Sequence, residues 1–186
     1  MSDTSNPVES QPRLIRQGQL IADDSRLFVP SAEPEDGKAT FPADEPGWVV
    51  PLEVWLSRDV QACTERQHAL AIQLAPDSTL ESLFSNDNAA SLQKQIRYIA
   101  IDFPAYTDGR GYSLAQLLRR QYGWQGELRA SGDVMIDTMH YMARCGFDSF
   151  LVKPSHNPGK ALAALGTFSV QYQKSYPAVE RVTEAA

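Results

Sequence analysis

The chain has 186 residues, of which 42% are hydrophobic and 22% charged, a globular composition that amounts to about one domain and excludes fibrous, collagen-like and wholly disordered architectures. Seventeen basic side chains against twenty-three acidic ones leave a formal charge of −6. That sign opposes docking on nucleic acid or an anionic membrane and favours a partner with its own basic surface.

Residues 1–12 read as a disordered N-terminus and 13–47 as an antiparallel flap followed by an acidic, proline-bearing linker. Arg13-Leu14-Ile15, Gln17-Gly18-Gln19 and Leu20-Ile21 predict two short strands around a glycine turn, with a third strand over Arg26 to Val29 after Asp23-Asp24-Ser25. The stretch from Glu33 to Pro46, interrupted by Pro34, Gly37 and Pro42, has too little apolar content to offset its ordering entropy and reads as the linker.

From Trp48 the pattern changes, and 48–174 reads as an α/β domain with a flexible tail over 175–186. Short apolar runs predict strands at Val49 to Trp55, Ala69 to Leu74, Ile96 to Phe103, Glu127 to Ala130 and Ser149 to Val152. Helical periods lie between them. Leu114, Leu117, Leu118 and Gln121 share a face, with Ser113 as N-cap and Gly123 as stop. After Asp133, Met135, Ile136, Met139, Met142 and Ala143 form an apolar stripe that Gly146 ends, and Lys160 to Phe168 predicts a third helix. Alternating strands and helices imply parallel βα repeats with right-handed crossovers. The fold class is therefore α/β, either an open three-layer sheet or an incomplete TIM-like barrel, preceded by the small flap.

In such sheets ligands bind beyond the carboxyl ends of the strands. The loop after Ile96 to Phe103 carries Thr107-Asp108-Gly109-Arg110-Gly111, where two glycines let backbone N–H groups approach a ligand and Arg110 adds a charged donor fork. Asp108, Gly109, Arg110 and Gly111 are thus candidates for contact with a small anion or a partner; the structural alternative is that Asp108 and Ser113 cap the helix. Arg129 and Lys153, near the ends of the next two strands, complete a candidate cationic rim. Asp102 and Asp133 are either acid/base groups or members of structural ion pairs, with Asp102 as the expected partner of a buried Arg129 and Asp133 as an N-cap. The four residues Asp102, Arg110, Arg129 and Lys153 are expected at a common rim.

No P-loop and no Gly-x-Gly-x-x-Gly occurs. His68, His140 and His156 make no ligand spacing, and Cys63 and Cys145 form no Cys-x-x-Cys pair, so no metal site and no bound cofactor are expected. Cys145 and the methionine stripe read as core, and Trp48, Trp55 and Trp124 as either core or interface anchors. No run approaches eighteen apolar residues and the N-terminus lacks a signal-peptide pattern, which predicts a reduced, cytoplasmic protein with no membrane and no nucleic-acid partner.

The runs Phe103-Pro104-Ala105-Tyr106-Thr107-Asp108-Gly109-Arg110-Gly111-Tyr112-Ser113, Gly126-Glu127-Leu128-Arg129-Ala130 with Gly132-Asp133-Val134, and Arg144-Cys145-Gly146-Phe147-Asp148 resemble a bacterial family of unknown function, as do Pro51, Trp55 and Phe168 to Gln173. Its members are described as oxidoreductases of sulfite reduction and lie beside genes for assimilatory sulfite reductase. The resemblance implies an accessory role that assists electron delivery to sulfite reductase or its assembly, with sulfite reductase or its electron donor as partner and no cofactor of its own. Where relatives often carry tryptophan after the early acidic pair, this chain has Ser25; where many have a basic residue and a glutamine after the Gly-Asp, it has Ile136 and Thr138. The alternative reading is a small barrel-like enzyme or binding protein for a phosphorylated or sulfonated metabolite.

Overall fold

A computed structural model describes residues 13–30, 41–59, 63, 65–85 and 89–166. The expected N-terminal tail, the middle of the linker, the end of the last helix and the C-terminal tail lie outside these residues.

Eight strands form one sheet: β1 (Leu14–Arg16), β2 (Gln19–Ile21), β3 (Arg26–Leu27), β4 (Trp48–Pro51), β5 (Leu70–Leu74), β6 (Ile96–Phe103), β7 (Glu127–Gly132) and β8 (Ser149–Leu151). Their order is β2-β1-β8-β7-β6-β5-β4-β3. From β3 to β8 all neighbours are parallel and follow chain order, while β1 pairs antiparallel with both β8 and β2. Six helices are seen among the described residues: α1 (Leu52–Leu56), α2 (Leu80–Phe84), α3 (Ala89–Gln95), α4 (Arg110–Arg120), α5 (Met139–Cys145) and α6 (Pro158–Leu165).

The parallel order never reverses, so crossovers of one hand put the helices on one face of the sheet. An open three-layer sheet needs such a reversal. The architecture is the other alternative, a curled half-barrel. Ile99, Ile101 and Phe103 of β6 join Val50, Ile72, Leu128 and Phe150 in the main core beneath the helices. Tyr98 and Ala100, on the opposite face of β6, form a separate small cluster with Val49 and Ala71. Each fully buried Leu or Ile on the helical side contributes roughly 1.5–3 kcal/mol, so this outer layer supplies most of the stability.

The curl follows from chain length. β2 and β3 sit at opposite ends of the sheet, yet only residues 22–25 join them. Seven strand spacings of about 4.8 Å would separate these edges by roughly 34 Å in a flat sheet. The link spans about 18 Å at full extension. The sheet must therefore bend until its edges approach, and residues 22–25 cross the concave face as a strap. Gly47 makes room for the crossing: its φ is +88°, and a Cβ there would lie 2.3 Å from the Asp24 carbonyl oxygen.

Several boundaries differ from the sequence reading. The hairpin forms around Gln17-Gly18, but it extends the main sheet through β1, and the third strand pairs with β4 at the far edge. The run Val49 to Trp55 stops as a strand at Pro51 and continues as α1, whose Trp55 is buried in the core. α4 begins at Arg110 with Gly109 at its N-cap position, which leaves Ser113 inside the helix, and Leu117 is exposed. α5 starts only at Met139, so Asp133 is not its cap; Gly146 ends it in the left-handed conformation. α6 opens on Asn157, whose side chain accepts from the Lys160 N–H, with Pro158 in its first turn. Trp124 and Cys145 are buried. No helix among the described residues is long and apolar enough to cross a membrane.

Gly47→Ala is expected to lower the unfolding free energy by about 2 kcal/mol or more, because it adds both backbone strain and a clash with the strap. Urea denaturation measures this, and a change below about 0.5 kcal/mol contradicts the tight crossing.

Candidate functional site

The concave face is the side that the helices leave uncovered, and it divides into two regions. The lower one lies toward the amino ends of the parallel strands and is closed by the strap. Arg129 of β7 is 2% exposed and stacks on the Tyr98 ring at 3.7 Å. Its Nε and Nη2 donate to Glu127 Oε1 at 3.1 and 2.8 Å, while Nη1 reaches Asp23 of the strap at 3.5 Å. Glu127 also accepts from the Ser149 hydroxyl at 2.6 Å and pairs with Arg16 at 3.4 Å. Beside this knot, Asp24 accepts a two-pronged bond from Arg97 at 3.0 and 3.2 Å.

Burial pushes the Glu127 carboxyl up, but the Ser149 hydroxyl and the charges of Arg129 and Arg16 outweigh it, leaving Glu127 below its ordinary value of 4.5. Asp24 behaves alike: burial raises it, and the hydrogen bond and charge of Arg97, with help from Arg129, bring it below the usual carboxylate value. Burial raises the Tyr98 phenol, against the opposing charge of Arg129.

The upper region is the carboxyl-end rim. Register places Asp102 opposite Ser131 on β7 and Arg129 opposite Ala100, one inward-facing position deeper. Arg129 is therefore not a rim residue, and Asp102 is not its partner. The reason is local: Glu127 and Arg129 lie two residues apart on one face of one strand, so the guanidinium folds down onto its own strand. Asp102 is half-buried and has no hydrogen-bond or ion-pair partner among the described residues. Desolvation raises its carboxyl above the ordinary value of 3.8. Next to it, Gly132 holds φ at +84°, and a Cβ there would meet the Phe103 carbonyl oxygen at 2.5 Å and Asp102 Oδ1 at 2.7 Å.

The remaining rim groups are engaged. Lys153 donates to Asp133 Oδ1 at 2.5 Å and lies 3.1 Å from the Met135 sulfur, while Asp133 Oδ2 accepts from the Tyr106 N–H at 2.8 Å. The Lys153 hydrogen bond, followed by that of Tyr106, holds Asp133 below the usual carboxylate range, and the charge of His156 adds to this. His156 Nδ1 is buried without a partner among the described residues. Arg110, 61% exposed, folds back on Asp108 at 2.7 and 3.0 Å, and Asp108 also accepts the Arg110 N–H at 3.1 Å, bracing the start of α4 between Gly109 and Gly111. The side-chain bond from Arg110 lowers the Asp108 carboxyl.

The structure thus brings Asp133 and Lys153 together, keeps Arg110 in its own loop and buries Arg129 below. Each of the three expected anion donors already has a carboxylate partner. Sequence reasoning missed Asp23, Asp24, Arg97, Tyr98 and Glu127. The Glu127–Arg129 spacing was a readable signal for one contact, whereas Asp23 lies 106 residues from Arg129 and carried none. Among the described residues, no group of three or more His, Cys, Asp or Glu side chains could hold a metal ion. Away from the concave face, Arg119 gathers the carbonyls of Trp124, Gly126 and Gly146 and the Asp148 carboxylate, which is scaffold rather than site.

A family model described as "Bacterial protein of unknown function (DUF934)" matches residues 71–182, a span that runs from the second residue of β5 through β8 and leaves out the strap. No curated protein matches the chain.

Two outcomes check this geometry. Arg129→Gln is expected to cost about 3–5 kcal/mol because Glu127 is left buried and uncompensated, whereas Arg110→Gln leaves the urea midpoint unchanged; equal effects contradict the assigned burial. Because the folded-state pKa of Glu127 is depressed, its contribution is full above the unfolded value and disappears as pH falls through the folded one. Glu127→Gln should therefore flatten the acid limb of a stability-versus-pH curve below about pH 4.5; an unaltered limb contradicts it.

Proposed function

Given that the chain belongs to the bacterial DUF934 family, whose function is unknown, we propose that it is an accessory protein of assimilatory sulfite reduction. It docks on sulfite reductase or on its electron donor in the cytoplasm, assists electron delivery or assembly, and carries no cofactor of its own. The observation that supports this reading is the neutralisation of the basic groups. Arg110, Arg129 and Lys153 are all paired with carboxylates on a chain whose net charge is −6. The surface is thus biased toward a basic partner rather than toward capture of a free anion at the rim. The sulfite-reduction context comes from the sequence resemblance.

Asp102 favours a second reading, a small barrel-like enzyme or binding protein for a phosphorylated or sulfonated metabolite. A half-buried carboxyl with no partner among the described residues, raised by desolvation at the carboxyl end of a central parallel strand, is placed to donate or accept a proton. Asp133, held by Lys153 and Tyr106, is committed to structure instead.

The docking reading predicts co-elution with sulfite reductase or its electron donor in size-exclusion chromatography at low salt, and dissociation as salt rises. No association at any ionic strength with either partner contradicts it.

A further inference from the structure

The knot under the strap is balanced in charge: Asp23, Asp24 and Glu127 face Arg16, Arg97 and Arg129. Its contacts are uneven. Glu127 grips two nitrogens of the buried Arg129, but the third, Nη1, is met among the described residues only by Asp23 at 3.5 Å, at the outer limit of a hydrogen bond. Asp23 has nearer partners, accepting from the Ser25 hydroxyl at 2.9 Å and the Ser25 N–H at 3.2 Å, all within the strap. It keeps those bonds if the strap lifts. Arg129 does not: its Nη1 is then left facing the concave face without an acceptor, at a position almost wholly removed from water, which is a costly state unless another acceptor arrives. Asp24 is likewise placed between two guanidiniums, bonded to Arg97 and within range of the charge of Arg129. Lifting both strap carboxylates removes two negative charges and leaves Glu127 against three arginines.

We propose that Asp23 and Asp24 are an internal stand-in for a small doubly charged oxyanion, and that the strap over residues 22–25 yields to admit such an anion onto Arg129 and Arg97 beside Tyr98. A dianion of the sulfite, sulfate or phosphate class restores the charge balance of the closed state and supplies the acceptor that Nη1 lacks. Arginine forks suit oxyanions of this geometry. The site is separate from the carboxyl-end rim and does not depend on which partner the protein docks on.

The test is calorimetric titration of inorganic sulfite, sulfate and phosphate into the full chain. Neutralising the stand-in with the double change Asp23→Asn and Asp24→Asn is expected to tighten binding at least about tenfold over both the wild type and a control of equal charge, Glu53→Gln with Glu65→Gln. Adding Arg97→Gln should reverse the gain. Tightening no greater than in the control, or insensitive to Arg97→Gln, overturns the proposal. A second measurement covers the case in which the double variant does not fold. In wild-type protein at constant ionic strength, replacing chloride with sulfite should speed amide hydrogen exchange at Arg26, whose N–H bonds to the Gly47 carbonyl at the foot of the strap at 2.8 Å, because the anion favours the lifted strap. Unchanged or slower exchange there overturns the proposal on its own.

Discussion

Four residues joining the two outermost strands of an eight-strand sheet are the constraint on which this structure rests. A flat sheet is unavailable to a chain so connected, because the edges lie nearly twice as far apart as the link can reach. Curling gives the sheet an inside and an outside. One-handed crossovers then commit the helices to the outside, and the inside is left to the strap and to a few polar residues. The buried Arg129 is tolerable only because Glu127, Ser149, Tyr98 and Asp23 converge there.

The same arrangement decides what the concave face can do. Two depths along the strands carry different chemistry. At the rim, Asp102 stands without a partner among the described residues, while Lys153 and Arg110 are each folded onto an acid. Below, three arginines meet three carboxylates, two of which ride on the strap. Positive charge is therefore present but spoken for, so the protein meets its surroundings as an acidic body. Under the strap proposal, the arginines of the knot become available through movement of residues 22–25. The proposed docking role rests on that combination.

Much of the fold was legible from local pattern. The eight residues Ile96–Phe103 were readable to both ends because a central strand buried on both faces is a nearly unbroken apolar run. The end of α5 was marked by Gly146, whereas α6 begins at Pro158, two residues before the expected start at Lys160. Less legible were α1, α2 and α3, two of which have only five residues, too few for a helical period to separate from a strand-like run such as Val49 to Trp55. Sequence also could not say that Arg26–Leu27 would pair with β4 at the edge opposite to the hairpin, since pairing between distant segments leaves no local mark. The site followed the same division. The loop around Arg110 and the Asp133 turn were located correctly at strand ends, but their electrostatic partners depend on register and on a strap from the far end of the chain. Arg129 illustrates this best: its strand was clear, its depth was not.

The most direct test of the account is the distance between the two sheet edges in solution. Spin labels at Gln19→Cys and Leu27→Cys, in a chain whose native Cys63 and Cys145 are replaced by serine and alanine, report it by pulsed dipolar spectroscopy. With both strands paired and the sheet curled, the labels should give a single population at about 20–25 Å, allowing for label length. A dominant population at about 35 Å or beyond means that one edge strand is unpaired and the sheet is open, and the curl, the strap and the buried knot fall together.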